Sequence, residues 1–444
     1  MTPGEVWKLV LPAALLVLLA PAGCEQAAGT PDAPVEADAD VGDDAPPPAD
    51  SWEDDPPGET VRSALVFGGG GVDEAALHEL TAGQLALAAE LLALGGDGPN
   101  RALSPVSISL ALAMQSAGAR GETLAELERV LHLPRQDVLH PTMGALLAAL
   151  RARELPAAAD HDAVELRPVN QLFQERTFEV LAAFLDTLAL GYDAGVQLVD
   201  FAGEPDSTRL AINDWVLGRT NDRIADLLPE GSLHELTRLV LVNALYLKAG
   251  WRYAFREPET TDGVFHAAGG DVTVPFMRQE VEGARYARLG DVDLVELPLE
   301  GSDLVFTIVV PRDGAAVDLA SLGGEFQRLP GVKVRISLPR FRVLDSLDLK
   351  QALAELGLVD LFDPYRCDLS GLNADERLWV DGAFHQAFVD VNEQGVEAAA
   401  ATAVTTVTES EPEQVVVDEP FYFVLRDRPT NAPLFVGFVA DPGA

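Results

Sequence analysis

Few side chains in this 444-residue chain have the type and spacing to do chemistry on a bound substrate. A serine hydrolase would carry its nucleophile on a sharp turn, in a G-x-S-x-G frame, and no such frame occurs. His385 has no carboxylate or second histidine at a spacing that would make it a catalytic base or a metal ligand. It reads in part as a satisfied core histidine. The Gly68–Gly71 run has no convincing strand before it and no lysine after it, which makes it a loop or hinge signal rather than a phosphate cradle. Cys24 and Cys367 are the only cysteines, so there is no disulfide framework. Cys367 reads as a buried filler, with a reactive thiol as the rival reading. No catalytic residue, metal site or cofactor is expected.

One segment has a spacing that could do something else. From Glu393 through Ser410 the chain runs EQGVEAAAATAVTTVTES. Alternate positions Val396, Ala398, Ala400, Thr402, Val404 and Thr406 are small or β-branched and uncharged, while the other parity carries Ala399, Ala401 and Glu397, whose carboxylate is expected to need solvent. A period of two lets such a segment enter a crowded sheet with its small set facing the core. From Val396 to Thr406 it would span about 35 Å at roughly 3.3 Å per residue. The bland alternatives are a flexible Ala/Thr linker or an Ala-rich helix; Ala398–Ala401 favours a helix and Val404–Thr408 opposes one.

The elements that must position this segment follow from periodicity. Helical apolar spacing covers 77–94, and Ser104-Pro105 opens an almost wholly apolar helix through Ala117. Further helices are expected over 124–131, 141–153, 178–190 and 208–218. Strand signals concentrate later, at 237–247, 293–299, 304–310, 332–338 and 435–439. Helices early and strands late predict an α+β fold rather than alternating βαβ units. A net charge of −40, with only four lysines among 31 basic residues, argues against nucleic acid as a partner.

Residues 1–24 form a targeting segment, with Lys8 before the apolar run Leu9–Ala20. The following Pro21-Ala22-Gly23-Cys24 resembles the lipobox of bacterial lipoproteins, in which the cysteine is lipidated, although Pro21 replaces the usual leucine. The alternative is an ordinary signal peptide with an incidental cysteine. Residues 25–60 hold twelve acids, seven prolines and no base, so a disordered tether is expected from 25 to 72, with the folded domain over 73–444.

Several separated motifs carry a resemblance to one family. They are Asn100–Ser109 (NRALSPVSIS), Thr237–Lys248 (TRLVLVNALYLK) followed by Trp251 and Phe255, Leu338–Phe341 (LPRF), His385–Gly395 (HQAFVDVNEQG), the alanine run behind it, and Pro420–Phe423 with Leu434–Val439. Together they resemble the serpins, in family order over about 75–442. The resemblance implies three β-sheets, about nine helices and an exposed reactive loop near 393–413. It further implies that a protease would cleave that loop, which would then insert as a new central strand of the main sheet and trap the acyl-enzyme. The hinge would comprise Glu393, Gly395, Val396, Ala398, Ala399, Ala400, Ala401 and Thr402, with Val396 replacing the usual threonine or serine.

Carried over residue by residue, Ser104, Ser107, Asn243 and His385 match the polar cluster that lets the sheet part. Trp251 matches the tryptophan where the loop goes in, and Arg340 a base that pairs with Glu393. Counting seventeen positions from Glu393, or eleven back from Pro420, gives Glu409 before the cut and Ser410 after it. The expected partner is a Glu-preferring serine endopeptidase, met by a monomer that is exported and held to a bacterial membrane or cell surface through a lipid at Cys24. A non-inhibitory member with a binding, storage or chaperone role, or an inhibitor of a cysteine protease, is the alternative.

Overall fold

Helical spacing becomes helix where it is strongest: α1 (Glu74–Ala93), α2 (Pro105–Gly118), α3 (Gly121–Val130), α4 (Gln136–Arg151), α5 (Ala182–Tyr192) and α6 (Pro205–Arg219). The shorter α7 (Leu319–Phe326) and α8 (Leu349–Glu355) lie among the strands. The computed structural model describes residues 55–444 except 70, 72, 96–97, 159–162, 302, 376 and 398–410. Cys24, the leader, most of the tether, and the loop positions Ala398, Ala399, Ala400, Ala401, Thr402, Glu409 and Ser410 lie outside the described residues. Among the described residues no helix is long and apolar enough to cross a membrane.

Three sheets carry the strands. The main sheet has seven, in the order β1 (Glu59–Val61), β4 (Val196–Val199), β3 (Glu165–Glu175), β5 (Leu239–Gly250), β14 (Gly395–Val396), β13 (Gly382–Val391) and β12 (Phe341–Asp348). A six-stranded sheet runs β2 (Arg101–Leu103), β17 (Ala432–Val439), β16 (Phe421–Asp427), β10 (Leu304–Pro311), β9 (Val292–Pro298) and β8 (Arg285–Leu289). The third sheet is β15 (Glu413–Val416), β11 (Val334–Pro339), β7 (Gly270–Val281) and β6 (Thr261–Ala267). Three sheets with eight α-helices among the described residues make the α+β architecture that the sequence predicts.

The apolar run of β5 is continuous because both faces of that strand are covered. Leu239, Leu241, Leu245, Leu247 and Ala249 belong to the large core shared with α2 and the six-stranded sheet. Val240, Val242 and Ala244 belong to a second cluster, with Ile212, Trp215 and Val216 of α6. The outer face of the main sheet is thus capped by α6 and the chain that follows it. On the inner face, α2 begins at the Ser104 cap, whose hydroxyl accepts the Ser107 amide, with Pro105 in the first helical turn.

The boundary of the folded part lies earlier than acid content suggests. Residues 59–61, counted within the tether, pair antiparallel with β4, from Glu59 opposite Leu198 to Val61 opposite Val196. Gly58 has φ +103, and a Cβ there would overlap the Leu198 carbonyl, so glycine is required where the chain meets the sheet. The chain then runs along α5, where Arg62 pairs with Asp193 at 2.9 Å and Ser63 donates to Asp186 at 2.5 Å. The Arg151 guanidinium lies 5.1 Å from the centre of the Phe67 ring. A three-residue strand among prolines and acids is too short to leave a periodic signal.

Candidate functional site

The main sheet has a seam between β5 and β13. These strands are parallel neighbours and pair from Val240 with Gly382 to Leu245 with Ala387. Beyond that point they diverge and β14 lies between them, antiparallel to both. Gly395 and Val396 pair with Gly250 and Ala249, and Val396 also pairs with Val391. Val396 is only 2% exposed. At Gly395 a Cβ would overlap the Ala249 carbonyl, so only glycine lets the returning chain come this close.

The reversal between β13 and β14 is held by residues from distant parts of the chain. Asn392 Oδ1 accepts the amides of Gln394 and Gly395. The Trp251 indole donates to Asn392 O at 2.8 Å, and its backbone amide to Gln394 O at 2.8 Å. Phe255 N donates to Glu393 O at 2.9 Å. Glu393 is buried, and its carboxylate accepts Arg340 at 2.7 Å from Nε and 2.5 Å from Nη2, together with the Thr260 hydroxyl at 2.5 Å. Burial opposes the charge, but Arg340 and Thr260 outweigh it and hold the Glu393 carboxyl below the usual range.

Two expectations about the loop are corrected here. Its first residues, Glu393 to Val396, are not exposed, and Gly395 and Val396 are already built into the sheet. Glu397, expected in solvent, has a side chain only 9% exposed and accepts Arg223 Nε at 2.5 Å. Its backbone is left-handed, with φ +59, which turns the chain out of the sheet after two strand residues. Burial raises the Glu397 carboxyl above its ordinary value, against the opposing pull of Arg223.

Below β14, on the inner face, a polar row crosses the seam. Asn170 on β3 is opposite Asn243 on β5, which is opposite His385 on β13. The Ser104 amide donates to His385 Nε2 at 3.0 Å, so that nitrogen is unprotonated. The proton therefore sits on Nδ1 and is donated to Asn243 Oδ1 at 2.6 Å. Asn243 Nδ2 donates to the Ser107 hydroxyl at 2.7 Å and to Asn170 Oδ1. Ser107 donates in turn to Asn170 Oδ1 at 3.1 Å or Ala244 O at 3.2 Å. The structure thus brings Ser104, Ser107, Asn243 and His385 into one cluster, and Trp251, Arg340 and Glu393 into a second where β14 goes in. Asn170, Thr260 and Arg223 complete the two groups and were not singled out from sequence. Their signal is only visible in register, since each lies far along the chain from its partner.

Among the described residues no three His, Cys, Asp or Glu side chains gather as a metal site. Cys367 is buried, and burial pushes its thiol up to about 12, so it is a protonated filler rather than a nucleophile.

Burial lowers His385 to about 3, and only the neutral ring fits the row. The unfolded chain takes up this proton near pH 6.5 and the folded chain does not until about 3. The stability from His385 is therefore complete above pH 6.5 and is lost as pH falls from 6.5 towards 3. His385→Asn should destabilise by about 1–3 kcal/mol at pH 7. The gap from the parent should narrow steadily as the denaturation series is repeated down to pH 4. A gap that stays constant with pH would contradict a neutral, proton-excluding His385.

Comparison with known proteins bears on what this seam belongs to. The profile of the family described as Serpin (serine protease inhibitor) matches residues 85–442. An uncharacterized serpin-like protein of Thermococcus kodakarensis is 37% identical over 361 residues, covering 79% of this chain and 82% of that protein. Leukocyte elastase inhibitor of Homo sapiens is 33% identical over 387 residues, covering 82% of this chain and 100% of that protein. The crystal structure of the thermophilic serpin Tengpin in the native state superposes with a TM-score of 0.74 at 26% identity, over 86% of this chain and 100% of that one. Family match, length of coverage and the arrangement of three sheets agree: the chain belongs to the serpins, a family of protease inhibitors rather than enzymes.

Proposed function

We propose that this chain is an irreversible suicide-substrate inhibitor of a serine endopeptidase. The observation that carries the reading is the seam: β14 occupies only the top of a slot whose two walls are parallel and accept an antiparallel strand between them. Continuing the register of β14 downward, each further loop residue falls one step lower on both walls. Thr402 then comes level with Asn243 on one side and His385 on the other, on the parity of Val396 and hence on the inner face. Its hydroxyl has one donor and two acceptor sites, which suits it to take a place between the two when their direct bond is broken. No inward position from Val396 to Thr406 is charged, so nothing in the sequence blocks a strand there.

The protease serine attacks the Glu409 carbonyl and releases the Ser410 amine, leaving Glu409 esterified to the enzyme. Insertion of the freed loop carries that ester away before water completes the turnover. Glu409 favours proteases whose pocket offers cationic or strong donor groups, because a buried unpaired carboxylate costs several kcal/mol. Trypsin-like pockets, which are acidic, would repel it. The strongly acidic surface favours association with a basic rim, faster at low salt.

The test is a panel of glutamate-specific, elastase-like and trypsin-like proteases, scored for a complex that survives boiling in detergent and for the first residue of the released C-terminal fragment. A glutamate-specific enzyme should yield both the complex and a fragment starting at Ser410. Val396→Arg should abolish the complex while cleavage continues, since a charge would have to enter the core. Cleavage without a complex across the whole panel would favour the non-inhibitory reading. Rapid inhibition of trypsin, indifferent to Glu409→Ala, would overturn the assigned bond.

The chain is further proposed to be exported and lipid-anchored at Cys24, on the strength of Ala22-Gly23-Cys24 and the acidic spacer behind it. Cys24→Ser should move the protein from the detergent phase to the aqueous phase when expressed in a lipoprotein-processing bacterium. Mass spectrometry that finds Cys24 unmodified in the membrane fraction would contradict the anchor.

A further inference from the structure

The chain joins its folded part at one end of the main sheet, and β14 sits at the other. Glu59 of β1 pairs with Leu198, Leu198 with Gln174 and Gln174 with Leu239, so one row runs from β1 to the first residue of β5. Gly395 of β14 pairs with Gly250, the last residue of β5, roughly 36 Å away at about 3.3 Å per residue. Just before Glu59, Pro57 and Gly58 line a cleft with Arg176, Val199 and Asp200, which lie at or just past the ends of β3 and β4.

This point of entry is held firmly. Gln197 Nε2 donates to the Thr60 hydroxyl at 2.7 Å across β1 and β4. Asp193 takes Arg62 at 2.9 Å on one oxygen and Arg151 at 3.0 Å on the other, and Ser63 donates to Asp186. Any pull on the segment before Asp55 is therefore taken up at the Leu239 end of the sheet.

On the register of an inserted strand, Glu409 comes level with Leu236, just past the row of Glu59. The acyl-enzyme would finish at the end where the chain enters, displaced sideways from β1 by four strand spacings, about 19 Å. A compact protease of roughly 230 residues has a radius of gyration of about 17 Å and a diameter of about 45 Å. It needs that much room between this end of the sheet and any surface to which Cys24 is fixed. From Cys24 to Asp55 the chain can reach about 105 Å at most, at about 3.4 Å per residue.

We propose that residues 25–54 are a spacer whose length makes room for the trapped protease between the main sheet and a membrane, so that an anchored copy can complete inhibition there. The loop departs from β14 at the far end, so the first cut makes no demand on the spacer and only trapping does. The inference rests on the insertion and anchor readings given above.

The test uses lipidated protein in phosphatidylcholine vesicles with a glutamate-specific endopeptidase, and scores the share of cut chains trapped as a detergent-stable complex. Deleting residues 29–50 leaves β1 intact and shortens the greatest reach to about 31 Å. On vesicles this variant should be cut at the parental rate but trapped at least about fivefold less often, because the linker no longer spans the protease. In the unanchored Cys24→Ser form the same deletion should trap like its parent. A Gly/Ser stretch of equal length in place of 29–50 should restore trapping on vesicles. Equal trapping by the deletion variant with and without the anchor would overturn the spacer, as would failure of the Gly/Ser stretch to restore it. If the unanchored parent forms no complex, the insertion reading fails and the spacer falls with it. If the parent forms complexes but does not partition to vesicles, the anchor reading fails instead, and the spacer again falls.

Discussion

Two parallel strands that stop pairing partway, with their walls still facing one another, set the terms for everything else in this molecule. Between β5 and β13 a strand that follows β13 through a tight turn runs antiparallel to both, and β14 already does so for two residues. That geometry demands a reversal directly after β13, and Gly395 is needed because the returning backbone passes against Ala249. It also demands that the reversal itself stay put. Trp251, Phe255, Thr260 and Arg340 supply that fixity by holding the backbone carbonyls of Asn392–Gln394 and the Glu393 carboxylate.

Charge is distributed around the seam in a way that suits a sheet that opens. The inner row is neutral: Asn170, Asn243, Ser104, Ser107 and a His385 that burial keeps unprotonated. Neutral hydrogen bonds contribute about 1 kcal/mol net each and can be exchanged for others of the same kind. A buried ion pair in that row would leave about 3–5 kcal/mol uncompensated once broken. The ion pairs lie at the rim instead, Glu393 with Arg340 and Glu397 with Arg223, where each arginine remains near 42% exposed. In a protein of net charge −40 these arginines have many carboxylates to choose from, so their placement on the two hinge glutamates is a specific feature of the fold.

Much of this was legible in the sequence. The apolar helix after Ser104 and the continuous run of β5 each follow from spacing alone, and their family order implied how they assemble. What spacing could not give was pairing at long range. Glu397 looked like a charge that needs water because its partner Arg223 lies 174 residues away on a turn with no periodic signal. Asn170 sits in a strand interrupted by Pro168, which weakened the strand signal of β3 and hid the asparagine that completes the inner row. The strand at Glu59–Val61 was masked by the acids and prolines around it, since composition averages over a window that three ordered residues cannot dominate.

The proposed function stands on one claim, that the loop beyond Glu397 completes the main sheet once it is cut. Each added residue would contribute ladder hydrogen bonds worth about 1 kcal/mol apiece, and Val404 would gain roughly 1.5 kcal/mol or more by burial. The direct measurement is the melting temperature before and after a single clean cleavage between residues 398 and 410, with both fragments retained. Completion of the sheet predicts a rise of at least about 10 °C. An unchanged or lowered melting temperature would show that the slot beneath β14 stays closed, and would contradict the account.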